Sequence, residues 1–209
     1  MCGRFILLID LSALKERFAI EESDLDALPG GDLLPGQAIP AVIRERKNRL
    51  VSFRWGLIPS WATDPSIGRK MINARAETLA VKPSFKNAFL HRRCLIPAEG
   101  FYEWTGEKGK KRAVLYSLRS GEPCAFAGLY EQWTGPSPEA PLQTCTIVTT
   151  EANALVAVAH NRMPVILSRE KESLWLDPSV REPALLEELL RPYPAQEMLR
   201  TDVGVIGQA

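Results

Sequence analysis

Hydrophobic and polar positions along this chain predict strands far more often than helices. An apolar run from Gly3 to Ile9 reads as a strand, and apolar residues at positions 11, 14 and 18 then put Leu11 to Phe18 on an amphipathic helix. A Pro/Gly-rich stretch, LPGGDLLPGQAIPAV, leads into Ala41 to Arg46 and Leu50 to Trp55, two β-rich runs around Lys47-Asn48 that predict a hairpin. Further β-type runs lie at Arg93 to Ile96, Gly100 to Trp104, Ala113 to Leu118, Cys124 to Leu129 and Thr144 to Thr149, with GEKGKK the clearest turn between them. Helical patterns are fewer: Thr78 to Ala80 extending toward Phe89, Glu151 to Ala159, Arg169 to Leu176 and Pro183 to Leu190. Strands and helices do not alternate regularly, so the order predicts an α+β fold with a strongly curved, mostly antiparallel sheet rather than a parallel α/β sheet. No repeat or linker divides the chain, and residues 1–209 read as one domain.

Composition narrows the function classes. With 45% hydrophobic residues in 209, the chain buries a sizeable core, and 26 Lys and Arg against 25 Asp and Glu leave a net charge of +1. Such a balance gives no global attraction to nucleic acid or acidic membranes, so any DNA contact comes from a local patch. Cysteines at 2, 94, 124 and 145 have no CxxC spacing and no histidines at metal spacing, which argues against a zinc site and fits reduced thiols. MCGRFILLIDLSALKERF lacks a basic leader with a cleavable apolar stretch, and no apolar run approaches the roughly 20 residues that span a bilayer. The expectation is a cytoplasmic protein that needs no cofactor.

Five segments carry candidate chemistry. Cys2 follows the initiator methionine and is small enough for Met1 to be removed, which leaves an α-amine and a thiol on one residue. Their ordinary pKa values, about 7.7–8.0 and about 8.5, keep both partly nucleophilic near neutral pH. An aldehyde would meet the amine as a Schiff base and the thiol as a ring closure to thiazolidine; equally, Cys2 could simply begin a buried strand. In MINARAET, Asn73, Arg75 and Glu77 share one face if extended, suited to a phosphate or sugar or to an Arg75–Glu77 ion pair. Glu103, between Tyr102 and Trp104 in PAEGFYEW, is either a partly desolvated acid/base or a surface strand glutamate. His160 in AVAHNRMPVIL is better placed for acid/base work than His91 in the charged run LHRRC. RWGLIPSW brings Trp55, Pro59 and Trp61 together, for base stacking or for core packing.

Taken together, MCGRF, RWGLIPSWA, INARAET, PAEGFYEW and HNRMPVIL resemble, in the same order, the motif set of the SRAP family, the SOS response-associated peptidases or abasic-site processing proteins. The match runs from residue 2 to about residue 176. The resemblance implies a pseudo-barrel sheet within the α+β fold and a protein that crosslinks itself to abasic sites in single-stranded DNA. It implies Cys2 as the nucleophile, Asn73 as the group orienting sugar and amine, and Glu103 and His160 as proton carriers in ring opening, imine formation and crosslink reversal. The glutamate is also linked to autoproteolytic exposure of the cysteine. Arg4 and Arg75 would hold flanking phosphates, Trp61 and Trp104 would touch base or sugar, and Lys82 and Lys86 would help hold the strand. The expected protein is a monomer, nucleoid-associated during DNA damage, with peptidase and lyase-like activity. The stretch GGDLLPGQAIPAV departs from the Asn- or Tyr-containing approach usual in the family.

Two other classes compete. Class II glutamine amidotransferases and related N-terminal-nucleophile amidohydrolases also begin Met-Cys-Gly, but this chain carries no Asn-Gly-Glu oxyanion segment. A noncovalent single-strand DNA-binding module would make Cys2 incidental.

Overall fold

The computed structural model describes residues 2–107, 110–135 and 141–205. In chain order the strands are β1 (Phe5–Leu7), β2 (Glu22–Ser23), β3 (Gly31–Leu33), β4 (Ala38–Arg44), β5 (Asn48–Trp55), β6 (Asn73–Arg75), β7 (Arg93–Ala98) and β8 (Gly100–Thr105). They continue with β9 (Arg112–Leu118), β10 (Cys124–Trp133), β11 (Leu142–Glu151), β12 (Arg162–Pro164), β13 (Ile166–Leu167) and β14 (Met198–Gly204). The helices are α1 (Leu11–Arg17), α2 (Lys86–His91), α3 (Arg169–Leu176) and α4 (Pro183–Glu188).

Strands β11, β10, β7, β4 and β5 follow one another by antiparallel pairing, and a short parallel contact of Thr144 with Arg54 and Cys145 with Trp55 joins β11 back to β5. The result is a closed five-stranded barrel, the curved sheet expected of an α+β chain. A second sheet, ordered β14, β9, β8, β1, β3, accompanies it. Such burial explains why the central strands read as continuous apolar runs rather than alternating ones: all six residues of β7 are buried.

Aromatic packing joins the barrel to the second sheet. Phe5 of β1 lies 5.3 Å from the Trp55 ring and 5.8 Å from Phe126. Phe101 of β8 continues the contact, 6.1 Å from Phe126 and 5.3 Å from Tyr116. These rings are all buried, and each fully buried aromatic contributes about 1.5–3 kcal/mol of transfer free energy. Charged groups are tied in as well. The buried Arg93 guanidinium donates to the Trp175, Phe89, Leu90, Asp177 and Val180 carbonyls, and Arg17 of α1 grips Glu172 of α3 at 2.6 Å.

The hairpin around residues 45–47, helix α1 and helix α3 stand where the periodicity put them. Two helical expectations do not hold. The stretch from Thr78 toward Phe89 splits into a 3-10 turn at Ala76–Thr78 and the short α2, because Pro83 interrupts it and disfavours helical geometry at the residue before it. Glu151 to Ala159 is not a helix either. Glu151 ends β11 opposite Arg162 of β12, and the ends of the loop between them are thereby held side by side. An eight-residue helix would carry the chain roughly 12 Å away. The loop forms a turn instead, which Asn153 stabilises by accepting from the Leu155 and Val156 amides at 3.1 and 3.0 Å. The turn expected at GEKGKK includes residues 108 and 109, and these lie outside the described residues.

The start of β8 depends on a residue without a side chain. A Cβ on Gly100 would sit 2.6 Å from the Tyr116 carbonyl oxygen and 2.9 Å from Leu115 Cδ1. Gly100→Ala should therefore destabilise the protein by about 1–3 kcal/mol, read as a lower midpoint in urea at unchanged slope.

Candidate active site

Cys2 is fully buried, three residues ahead of Phe5, so the packing of β1 fixes where it lies. Strand β1 pairs with β8 through Phe5 with Phe101 and Ile6 with Gly100, and Tyr102 donates to the Arg4 carbonyl at 3.0 Å. Continuing that register sets Gly3 across from Glu103. The third wall comes from β6, which pairs in parallel with β11 at Asn73 and Ile147. From there Asn73 Nδ2 donates to the Cys2 carbonyl at 2.9 Å. His160 stands at the end of the turn before β12, and the Arg162 amide donates to its Nδ1 at 2.9 Å. A neutral His160 therefore carries its proton on Nε2.

Electrostatics link Cys2 to Glu103 and Glu103 to His160, while Asn73 is tied to Cys2 by its hydrogen bond. Burial, with the Glu103 charge beside it, pushes the Cys2 thiol far above the ordinary thiol range. Burial also raises Glu103, against the pull of neighbouring positive charge, His160 included. At this site Asn73 Oδ1 is buried without a partner among the described residues. An unmet buried donor or acceptor costs about 1–3 kcal/mol, which a ligand offering the complementary group would remove.

The remaining predicted residues divide. Asn73, Arg75 and Lys82 line one cleft of about 390 Å³ together with Lys70, Met71 and Phe85. Lys86 opens α2 and does not line that cleft. Arg4 donates Nε to Asp32 at 2.9 Å and lies 5.4 Å above the Tyr102 ring, so its guanidinium is oriented from within the protein. Trp61 is 59% exposed, whereas Trp55 is core and donates its indole N–H to the Ile72 carbonyl. Glu77 pairs with Arg162 rather than with Arg75, at 2.5 and 2.9 Å. Asp32 and Arg162 are the site neighbours that the sequence reading passed over. Arg162 had a usable signal, standing two residues beyond His160 at the mouth of a strand; Asp32 had none, since nothing local ties it to Arg4. Among the described residues no group of His, Cys, Asp and Glu is arranged to hold a metal ion, and no helix is long and apolar enough to cross a membrane.

The family model described as SOS response associated peptidase (SRAP) matches residues 1–205. The abasic site processing protein YoqW of Bacillus subtilis is 46% identical over 202 residues, covering 95% of this chain and 90% of the relative. The abasic site processing protein HMCES of Gallus gallus is 34% identical over 151 residues, covering 61% of this chain and 45% of its own length. A crystal structure from Bacteroides thetaiotaomicron superposes with a TM-score of 0.89 at 26% identity, covering 97% of this chain and 92% of that one. A family match over nearly the whole length, on a fold that gathers the segments carrying the family's motifs around Cys2, makes this chain a member of the SRAP family.

Proposed function

We propose that this protein processes abasic sites in single-stranded DNA by linking its own Cys2, freed by removal of Met1, to the ring-opened sugar aldehyde. The observation that carries the reading is that Asn73 hydrogen-bonds the Cys2 carbonyl, the Glu103 charge acts on the Cys2 thiol, and His160 acts on Glu103 in turn. Abasic-site processing is also what the names of the B. subtilis and G. gallus relatives state for those proteins.

The chemistry follows from which nucleophile is ready. Burial keeps the thiol protonated, so the α-amine, with its ordinary pKa of about 7.7–8.0, attacks the aldehyde carbon first. The carbonyl electron pair moves to oxygen, one proton from the attacking amine and a second from Glu103, or from His160 Nε2 with Glu103 ionised, let that oxygen leave as water, and a protonated imine remains. The thiol then adds to the imine carbon, Glu103 takes the thiol proton, and the π pair returns to nitrogen, which is protonated. The sum is one aldehyde and one amino-terminal cysteine converted to a thiazolidine and one water. Reversal runs the same proton transfers backward. In the unprocessed chain, Glu103 beside the Met1–Cys2 junction is the group that would assist self-cleavage. Asn73 Oδ1, buried and without a donor, suits a sugar hydroxyl, and the cleft it shares with Arg75 and Lys82 suits a phosphate. Residues 1–209 acting as one domain, without a cofactor and as a monomer, complete the proposal.

Met1-free protein mixed with single-stranded DNA bearing one abasic site should give a band on a denaturing gel that survives heat and is missing for Cys2→Ala. No such band from the wild type sinks the reading, and ammonia release from glutamine would favour the amidohydrolase class instead. Equal protection of the lesion by Cys2→Ala would favour noncovalent binding.

Glu103→Gln should slow crosslinking by about 10²- to 10⁴-fold while making the fold more stable. The folded-state pKa of Glu103 is raised, so wild type matches the variant below the unfolded glutamate pKa of about 4.3 and loses stability relative to it as pH rises through the folded value. Melting curves from pH 4 to pH 8 should diverge upward in favour of the variant; curves that stay parallel would refute the desolvated state assigned to Glu103.

A further inference from the structure

The short stretch from Asn73 to Glu77 serves two parts of the site. Asn73 opens β6 and donates to the Cys2 carbonyl, whereas Glu77, in the 3-10 turn that follows β6, holds Arg162. The Arg162 guanidinium donates Nη1 and Nη2 to the two Glu77 carboxylate oxygens, at 2.5 and 2.9 Å, and Nη2 also donates to the Thr149 carbonyl at 2.5 Å. Thr149 is itself fully buried, and its hydroxyl donates to the Ala74 carbonyl at 3.4 Å. Strand β6 and the Arg162 side chain therefore share one support in β11.

Arg162 matters because of its backbone. Its amide donates to His160 Nδ1 at 2.9 Å, and the Ala152 amide donates to the Asn161 carbonyl at 3.1 Å, which closes the other side of the same turn. Rotation of the chain at residue 162 would withdraw the donor that keeps Nδ1 unprotonated and the proton on Nε2. The side chain resists that rotation. Arg162 starts β12 opposite Glu151, yet its fork turns to Glu77, 85 positions away in the chain.

An ion pair between two exposed side chains holds little in place. This one differs in two respects. The Arg162 side chain is only 12% exposed, and the contact is a two-point fork rather than a single bond. Hydrogen bonds from the guanidinium also hold the Glu77 carboxyl below the usual carboxylate range, so the pair persists across neutral pH.

We propose that Glu77 is a positioning residue for the chemistry at Cys2: by holding Arg162 it keeps His160 Nδ1 facing the Arg162 amide, and it ties His160 to the segment that carries Asn73. One short stretch then sets both the orienting amide and the tautomer of the proton carrier. The inference rests on the proposed function for the reaction that His160 serves.

Removing the Glu77 carboxylate tests it in two readouts. With Met1-free protein and saturating single-stranded DNA bearing one abasic site, Glu77→Ala should crosslink about tenfold or more slowly, with the half-saturating DNA concentration changed by less than about twofold. Without DNA, the ring nitrogen NMR signals of His160 should move from the Nε2–H tautomer toward a mixture of both, while those of His91, the other histidine of the chain, stay in place. Glu77→Gln can still accept one Arg162 N–H and should fall between wild type and Glu77→Ala in both readouts, and it serves as the test where the alanine variant folds poorly. Glu122→Ala breaks the Glu122–Arg169 pair, whose carboxylate side chain is 55% exposed against 53% for Glu77, and should behave as wild type. A wild-type rate in the Glu77 variants, a slower rate with an unchanged His160 tautomer, or an equal effect of Glu122→Ala would overturn the proposal. A change confined to the half-saturating concentration would overturn it too, by making Glu77 a residue of DNA binding alone. If wild type fails to crosslink, the proposed function falls instead, and the His160 signals still report on the Glu77–Arg162 tie.

Discussion

The insertion of Phe5 between Trp55 and Phe126 is the contact on which the rest of the arrangement depends. A chain terminus ordinarily frays, because a few residues cannot bury enough surface to offset the entropy of ordering them. Here a large aromatic ring three residues behind Cys2 is wedged into the junction of barrel and second sheet, and β1 is flanked by β3 and β8 on its two edges. Residues 2–4 inherit that order. Cys2 can then be met by Asn73 of β6 and Glu103 of β8, which lie far apart in the chain, with His160 acting on Glu103.

The same junction sets the electrical character of the site. Glu103 and Cys2 are both withdrawn from water, so each favours its neutral form. Hydrogen bonds that could have quenched the site are directed elsewhere. The Arg162 guanidinium is taken by Glu77 and the Thr149 carbonyl, which leaves its amide to orient His160. Arg4 is likewise engaged by Asp32. The cost of such an arrangement is visible in the Asn73 oxygen, buried without a partner among the described residues.

Much of this was legible from residue order. Long strands announce themselves, β10 by its run of apolar residues and β11 by its β-branched Thr, Ile and Val, and α1 and α3 because their signals are local. The short strands β2, β3, β12 and β13 were not, since two or three residues cannot display a period, and β14 was not because only Met198 in it is buried. Barrel closure between β11 and β5 rests on two residue pairs distant in sequence, which no local pattern encodes. Cys2, Asn73, Glu103 and His160 could be singled out by residue type and motif, but their meeting depends on three separate strand pairings. The Arg162–Glu77 pair shows the limit most plainly: proximity in sequence suggested Arg75 as the partner of Glu77, and the parallel alignment of β6 with β11 delivers Arg162 instead.

The complete burial of the Cys2 side chain also bears on how the thiol survives oxidants. Peroxides and disulfides react with exposed thiolates, and Cys2 in this fold is neither exposed nor ionised. Sulfenic acid formation is therefore slow at this residue, and the other three cysteines are equally enclosed, so no resolving thiol waits at the surface. A thiol shielded this way needs no reductant to keep it intact, and it remains chemically silent toward diffusible electrophiles as long as the fold encloses it.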